Sequence, residues 1–164
     1  MTSEFLSDEH LFAIDLLSFV LRQHQIPVQR HLPSPPCELN RLFRPSIGQA
    51  ILNYMIQNSS SLHRLWINFF EAGQTDDESL RRLYFELIQQ RPHRMFELLM
   101  TVLSLHCYQG VSSARADDSS QMMRAMEHIA FVTRTWIGRD PRNWRWFESR
   151  VESINRRLKI ACAA

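Results

Sequence analysis

The residues able to do chemistry are few and scattered. Histidines stand at 10, 24, 31, 63, 93, 106 and 128, and cysteines at 37, 107 and 162. A zinc site needs four ligands converging on one ion, which in sequence means paired cysteines a few residues apart or two histidines one helical turn apart around a glutamate. Neither spacing occurs, so no metal and no cofactor is expected, and the histidines read as solvated or core residues. Three widely spaced cysteines make no disulfide framework, and a reducing compartment is the simpler reading. Glu97 is the only charge inside MFELLMTVLSLHC, residues 95–107. A carboxylate in such surroundings could be a catalytic acid with a raised pKa, but one that faces a groove or meets an arginine is the plainer account. With no glycine-rich phosphate loop and no nucleophile elbow, the chain is not expected to be an enzyme.

A denser pattern lies near the C-terminus. TWIGRDPRNWRWF, residues 135–147, sets three tryptophans and a phenylalanine among arginines. Aromatics interleaved with cations could stack on single-stranded nucleic acid. Against this, Asp140, Glu148 and Glu152 interrupt the basic run, and Trp144, Phe147 and Val151 recur at the period of a core-facing helical stripe. No nucleic-acid partner is therefore expected. Arg139, Arg142, Arg145, Arg150, Arg156 and Arg157 read as the solvated side of a packed helix, able to touch anionic lipid headgroups only weakly.

The elements that would position these residues are helical. The chain has 164 residues, 45% of them apolar and 22% charged, with a net charge of +2, which suits one globular domain spanning 1–164. The acidic start, MTSEFLSDEH, does not read as a signal peptide, and no apolar run is long enough to span a bilayer. Membrane association is expected to be weak, or to run through a C-terminal tail missing after LKIACAA. Apolar residues at helical spacing predict a first helix over 8–24, followed by a proline-rich loop over 27–37. A short helix is predicted up to Pro45, and Ser46 to Gln49 reads as a capping box opening a helix to about Gln57. NSSS breaks it. Helices then follow over Leu62 to Ala72 and, from a second capping box at Thr75 to Glu78, to about Gln90. The helix starting at 95 is apolar all round, as a buried central helix must be. Gly110 is expected to end it, with a polar loop over 110–119, before an apolar helix over 121–137 and a last helix from Pro141. The expected fold class is all-α: a bundle of about seven or eight helices around a buried central helical hairpin.

Trp136 and Ile137 ending one helix, the turn GRDPRN, and Trp144 with Phe147 opening the next together resemble the second homology motif of the Bcl-2 family of apoptosis regulators. The likeness extends upstream in register. Arg91-Pro92-His93-Arg94 stands where that family carries Asn-Trp-Gly-Arg at the head of its buried helix, and SLRRLYFELIQ (79–89), with its Glu86-Leu87 pair, is similar to the preceding family helix. The chain departs from the pattern in keeping only the arginine of the first motif and in placing Glu97 where a small residue is usual. It also lacks the Gly-Asp of the third motif, near which LNYMIQN (52–58) sits. Such departures resemble those of a divergent or viral homologue.

The resemblance implies a Bcl-2-like bundle whose function is binding. It implies an anti-apoptotic protein, cytoplasmic or peripheral to the mitochondrial outer membrane, that holds amphipathic death-motif helices of pro-apoptotic partners (Bax, Bak or Bim-type) in a hydrophobic groove. Arg94 would be the cation that catches the ligand's aspartate, with Glu86 and Glu97 beside it. Leu83 and Leu87 would line one wall, and Trp66, Phe69 and Phe70 the other, while Trp136, Ile137, Trp144 and Phe147 would clamp the helix corner against the core. Periodicity alone leaves each apolar residue open to a plain core role. The rival class is a helical adaptor or homodimer without groove binding.

Overall fold

The structure is a computed structural model and describes residues 7–33, 42–68, 95–137 and 141–163, with the single positions 78 and 82. It is all-α. Among the described residues the helices are α1 (Asp8–Gln23), α2 (Pro45–Gln57), α3 (Ser59–Trp66), α4 (Met95–Arg115), α5 (Ser119–Val132) and α6 (Pro141–Ala163), with a π-helical turn over Thr133–Ile137.

α1 starts where Ser7 accepts a hydrogen bond from the His10 backbone N–H at 3.2 Å, with Asp8 and Glu9 in its first turn facing the positive end of the helix dipole. Its Phe12, Ile14, Leu16, Leu17 and Leu21 are fully buried. α4 lies at the centre, against α1, α2, α3 and α5, and every residue from Phe96 to Leu105 except Glu97 and Thr101 is buried. This follows from its composition, because a helix apolar on all sides removes the most surface from water when other helices enclose it.

Three expectations about local structure are corrected. Gly110 does not end the central helix, which runs on to Arg115, so the loop expected over 110–119 shrinks to residues 116–118. Val111, Ser113 and Ala114 are buried, and the Ser113 hydroxyl satisfies itself on the Gln109 carbonyl at 2.7 Å. Gly110 is there for closeness rather than for a turn: a Cβ at this position would stand 2.6 Å from Leu17 Cδ2. The short loop ends at Asp118, whose carboxylate caps α5 by accepting from the Gln121 N–H at 3.1 Å.

Ser46 does not cap α2. The helix begins at Pro45, whose missing N–H costs nothing in the first turn, and no side chain caps it. Residues 42–44 before it are not helical, and the rest of the short helix expected there lies outside the described residues. Finally, the break expected at NSSS occurs but is confined to one residue, and the next helix begins at Ser59 rather than Leu62. Only Asn58 separates α2 from α3, donating its side-chain N–H to the Tyr54 carbonyl at 2.9 Å, and the three serines form the first turn of α3.

Candidate functional site

Of the residues expected to build a groove, Phe69, Phe70, Leu83, Glu86, Leu87 and Arg94 lie outside the described residues. Trp66 is half-buried and packs on Tyr108 at 5.7 Å between ring centroids, on the seam of α3 and α4. The Tyr108 hydroxyl meets His63 Nδ1 at 2.8 Å on that seam. Trp144 and Phe147 are placed as anchors. Trp144 meets Phe12 of α1 edge-on at 5.2 Å and Phe147 at 5.6 Å, and Phe147, fully buried, meets Phe96 of α4 at 5.7 Å. One aromatic chain thus ties α1, α4 and α6 together. The backbone of Trp136 and Ile137 lies in the π-helical turn before α6.

Glu97 lines a furrow. Half-buried in the first turn of α4, it borders a cleft of about 430 Å³ between α2, the start of α4 and α6. Phe96 and Met100 floor the cleft, Asn53, Tyr54 and Gln57 of α2 form one wall, and Arg150, Ser153, Ile154 and Arg157 of α6 form the other. The Tyr54 hydroxyl lies 2.6 Å from Thr101 Oγ1, which donates in turn to the Glu97 carbonyl at 2.8 Å. Arg150 is stacked on the floor, its guanidinium carbon 5.4 Å from the centre of the Phe96 ring. Trp146 meets the same ring edge-on at 6.1 Å while leaving 43% of its own surface exposed. Arg150 and Arg157 are exposed, and among the described residues neither forms an ion pair. Such a cleft offers apolar contact below and two cations at one rim, which is recognition chemistry.

A second hollow, of about 650 Å³, lies on the opposite flank of α6 beside Phe19, Gln49 and Asn155, where Glu152 and Arg156 offer one charge of each sign. Asn155 fixes that flank by donating to the Ser46 carbonyl at 3.0 Å. Inside the central hairpin, His106 and His128 are buried with ring centroids 4.8 Å apart. The Gln109 side chain donates to Gln121 Oε1 at 3.2 Å, which turns its carbonyl oxygen to both histidines, 3.3 Å from each Nδ1. Burial, then the neighbouring His128 imidazole, holds His106 well below the ordinary histidine range, against a weaker opposing effect of the Gln109 hydrogen bond. Burial pushes the Cys107 thiol up, so little of it is the reactive thiolate. Among the described residues no group of three or more His, Cys, Asp or Glu is placed to hold a metal ion, and no helix is long and apolar enough to cross a membrane.

Sequence reasoning names Glu97 but misses Tyr54, Arg150 and Arg157 as parts of one cleft. The signal lies in the spacing. Arg150, Ile154 and Arg157 recur at i, i+4 and i+7 on one flank of the buried Phe147–Val151 stripe, so they share a wall with whatever packs beside that stripe. Comparison of the chain with family models, with curated proteins and with solved structures finds no match.

Proposed function

We propose that the chain is a non-catalytic regulator of apoptosis: a divergent Bcl-2-like bundle of about seven or eight helices, acting in the cytoplasm or at the mitochondrial outer membrane, that restrains partners of the Bax, Bak or Bim type by holding their amphipathic death-motif helices. The observation that carries this reading is the furrow at the head of α4, with an apolar floor and guanidinium groups at its rim. Two further features support it. The mostly apolar helix α4 is enclosed by its neighbours and hairpinned with α5, and the rings of Trp144 and Phe147 pack the start of α6 against α1 and α4, in keeping with the family resemblance. Helix-in-groove recognition needs a trough for apolar anchors and a cation for one carboxylate. Arg150 and Arg157 are cations at the furrow, and Arg94, outside the described residues, is kept as the one that the family resemblance implies.

The test is a titration of Bim-type, Bak-type and Bax-type death-motif peptides into the full chain by fluorescence anisotropy. Micromolar or tighter binding is expected, weakened about tenfold by Arg94→Ala, the equivalent of about 1.4 kcal/mol. If none of the three peptides binds, the reading is wrong. A mass that doubles with concentration in size-exclusion light scattering, without peptide binding, would point instead to a homodimerising adaptor.

A further inference from the structure

We infer that the furrow selects an acidic amphipathic helix carrying two carboxylates seven residues apart. The inference rests on the proposed helix-binding role and adds the charge pattern of the partner. Arg150 and Arg157 stand two turns apart on one flank of α6, roughly 10 Å along the axis at the usual rise per residue. A helix laid alongside has the same rise, so carboxylates at positions j and j+7 meet both guanidinium groups at once. An apolar residue at j+4 in a parallel ligand, or at j+3 in an antiparallel one, then faces Ile154 between them.

Both arginines are exposed, and among the described residues neither has a carboxylate partner to give up. Arg150 is also placed in advance, because stacking on Phe96 holds its guanidinium at the furrow. A cation already ordered loses less freedom on pairing than one that sweeps through solvent. Among the described residues the facing wall is neutral, built from Asn53, Tyr54 and Gln57, and Glu97 at the head of α4 is the carboxylate in the lining. The charges therefore fix the ligand's rotation: its acidic edge turns to α6. The hollow on the other flank of α6, with Glu152 and Arg156 of opposite sign, makes no such discrimination.

The experiment uses the full chain and three designed amphipathic helices of equal length and identical leucine face, bearing a glutamate, glutamine or lysine pair seven residues apart. Anisotropy titrations at low salt and at high salt are expected to show the glutamate peptide binding about tenfold tighter than the glutamine peptide, with the lysine peptide weakest. The advantage shrinks in high salt and disappears in Arg150→Gln/Arg157→Gln, and Arg150→Lys/Arg157→Lys keeps most of it. Circular dichroism checks folding, and if the double glutamine variant is unfolded, Arg157→Gln alone is expected to remove about half of the advantage on a logarithmic scale. Equal affinity of the glutamate and glutamine peptides overturns the inference while leaving helix binding standing, as does an advantage that survives loss of both arginines. Binding of the glutamate peptide without binding of any death-motif peptide supports the inference and overturns the apoptotic reading. Binding of no peptide overturns both.

Discussion

Acid should loosen this fold through its central hairpin. His106 is fully buried beside His128 and held well below the ordinary 6.5, chiefly by desolvation. In the folded chain it therefore stays neutral at pH values where the unfolded chain has already bound a proton. Unfolding then takes up protons as pH drops, so the stability owed to the neutral imidazole is complete above about pH 6.5 and is lost progressively below it, down to the depressed folded value. Each pH unit in that window costs at most about 1.4 kcal/mol for one histidine, so lowering the pH from about 6.5 to about 5 should remove up to about 2 kcal/mol through His106 alone. That is a large share of the roughly 5–15 kcal/mol that holds a typical domain together. Urea denaturation at pH 7.5 and pH 5.0 measures the loss, and His106→Gln isolates it, since glutamine binds no proton in this range. The variant should lose less than the parent between the two pH values, by up to about 2 kcal/mol. His10→Asn serves as a control for the surface pair that His10 makes with Glu127 at 3.0 Å. The reasoning is refuted if His106→Gln has the same pH dependence as the parent, or if the ring protons of His106 titrate at or above pH 6.5.

Two further predictions concern packing. Phe147→Ala removes the shared ring between Phe96 and Trp144 and should cost about 3–5 kcal/mol in chemical denaturation, so a loss under about 1 kcal/mol would contradict the aromatic clamp. Gly110→Ala gains about 1 kcal/mol of helix propensity but drives a methyl into Leu17 Cδ2, and the net effect should be destabilising by about 1 kcal/mol. In the Leu17→Ala background the same change should become neutral or stabilising, and a double-mutant cycle without coupling would show that the close approach does not matter.

The parts of the fold that could be read in advance are those where one physical term dominates. The run 95–107 has a single charge, so its enclosure by other helices follows from burial alone, and the Trp144–Phe147–Val151 spacing gives the inner face of α6. Gly110 misleads because a lone glycine near a polar stretch has the local signature of a helix end. What calls for a glycine there is the close approach of Leu17, nearly a hundred residues away in the chain, which no local pattern reveals. At the head of α2 two start signals compete one residue apart. Pro45 prevails over Ser46, since a ring that fixes φ and needs no donor is already suited to the first turn. The cleft was only half legible. Its cations stand at regular spacing on α6, but periodicity shows which residues share a flank, not that the neutral wall of α2 stands opposite them.

The Tyr54 and Thr101 hydroxyls have a bearing on how fast and how choosily a ligand would be received. They join the last turn of α2, one wall of the furrow, to the Glu97 carbonyl in the first turn of α4, its floor, by two short hydrogen bonds. Spacing set in this way does not have to be adjusted when a guest arrives, so little ordering remains to slow docking or to blunt its selectivity. A guest that needed the α2 wall farther from the floor would have to break those bonds before it could settle, which makes girth, as well as charge, a criterion for admission.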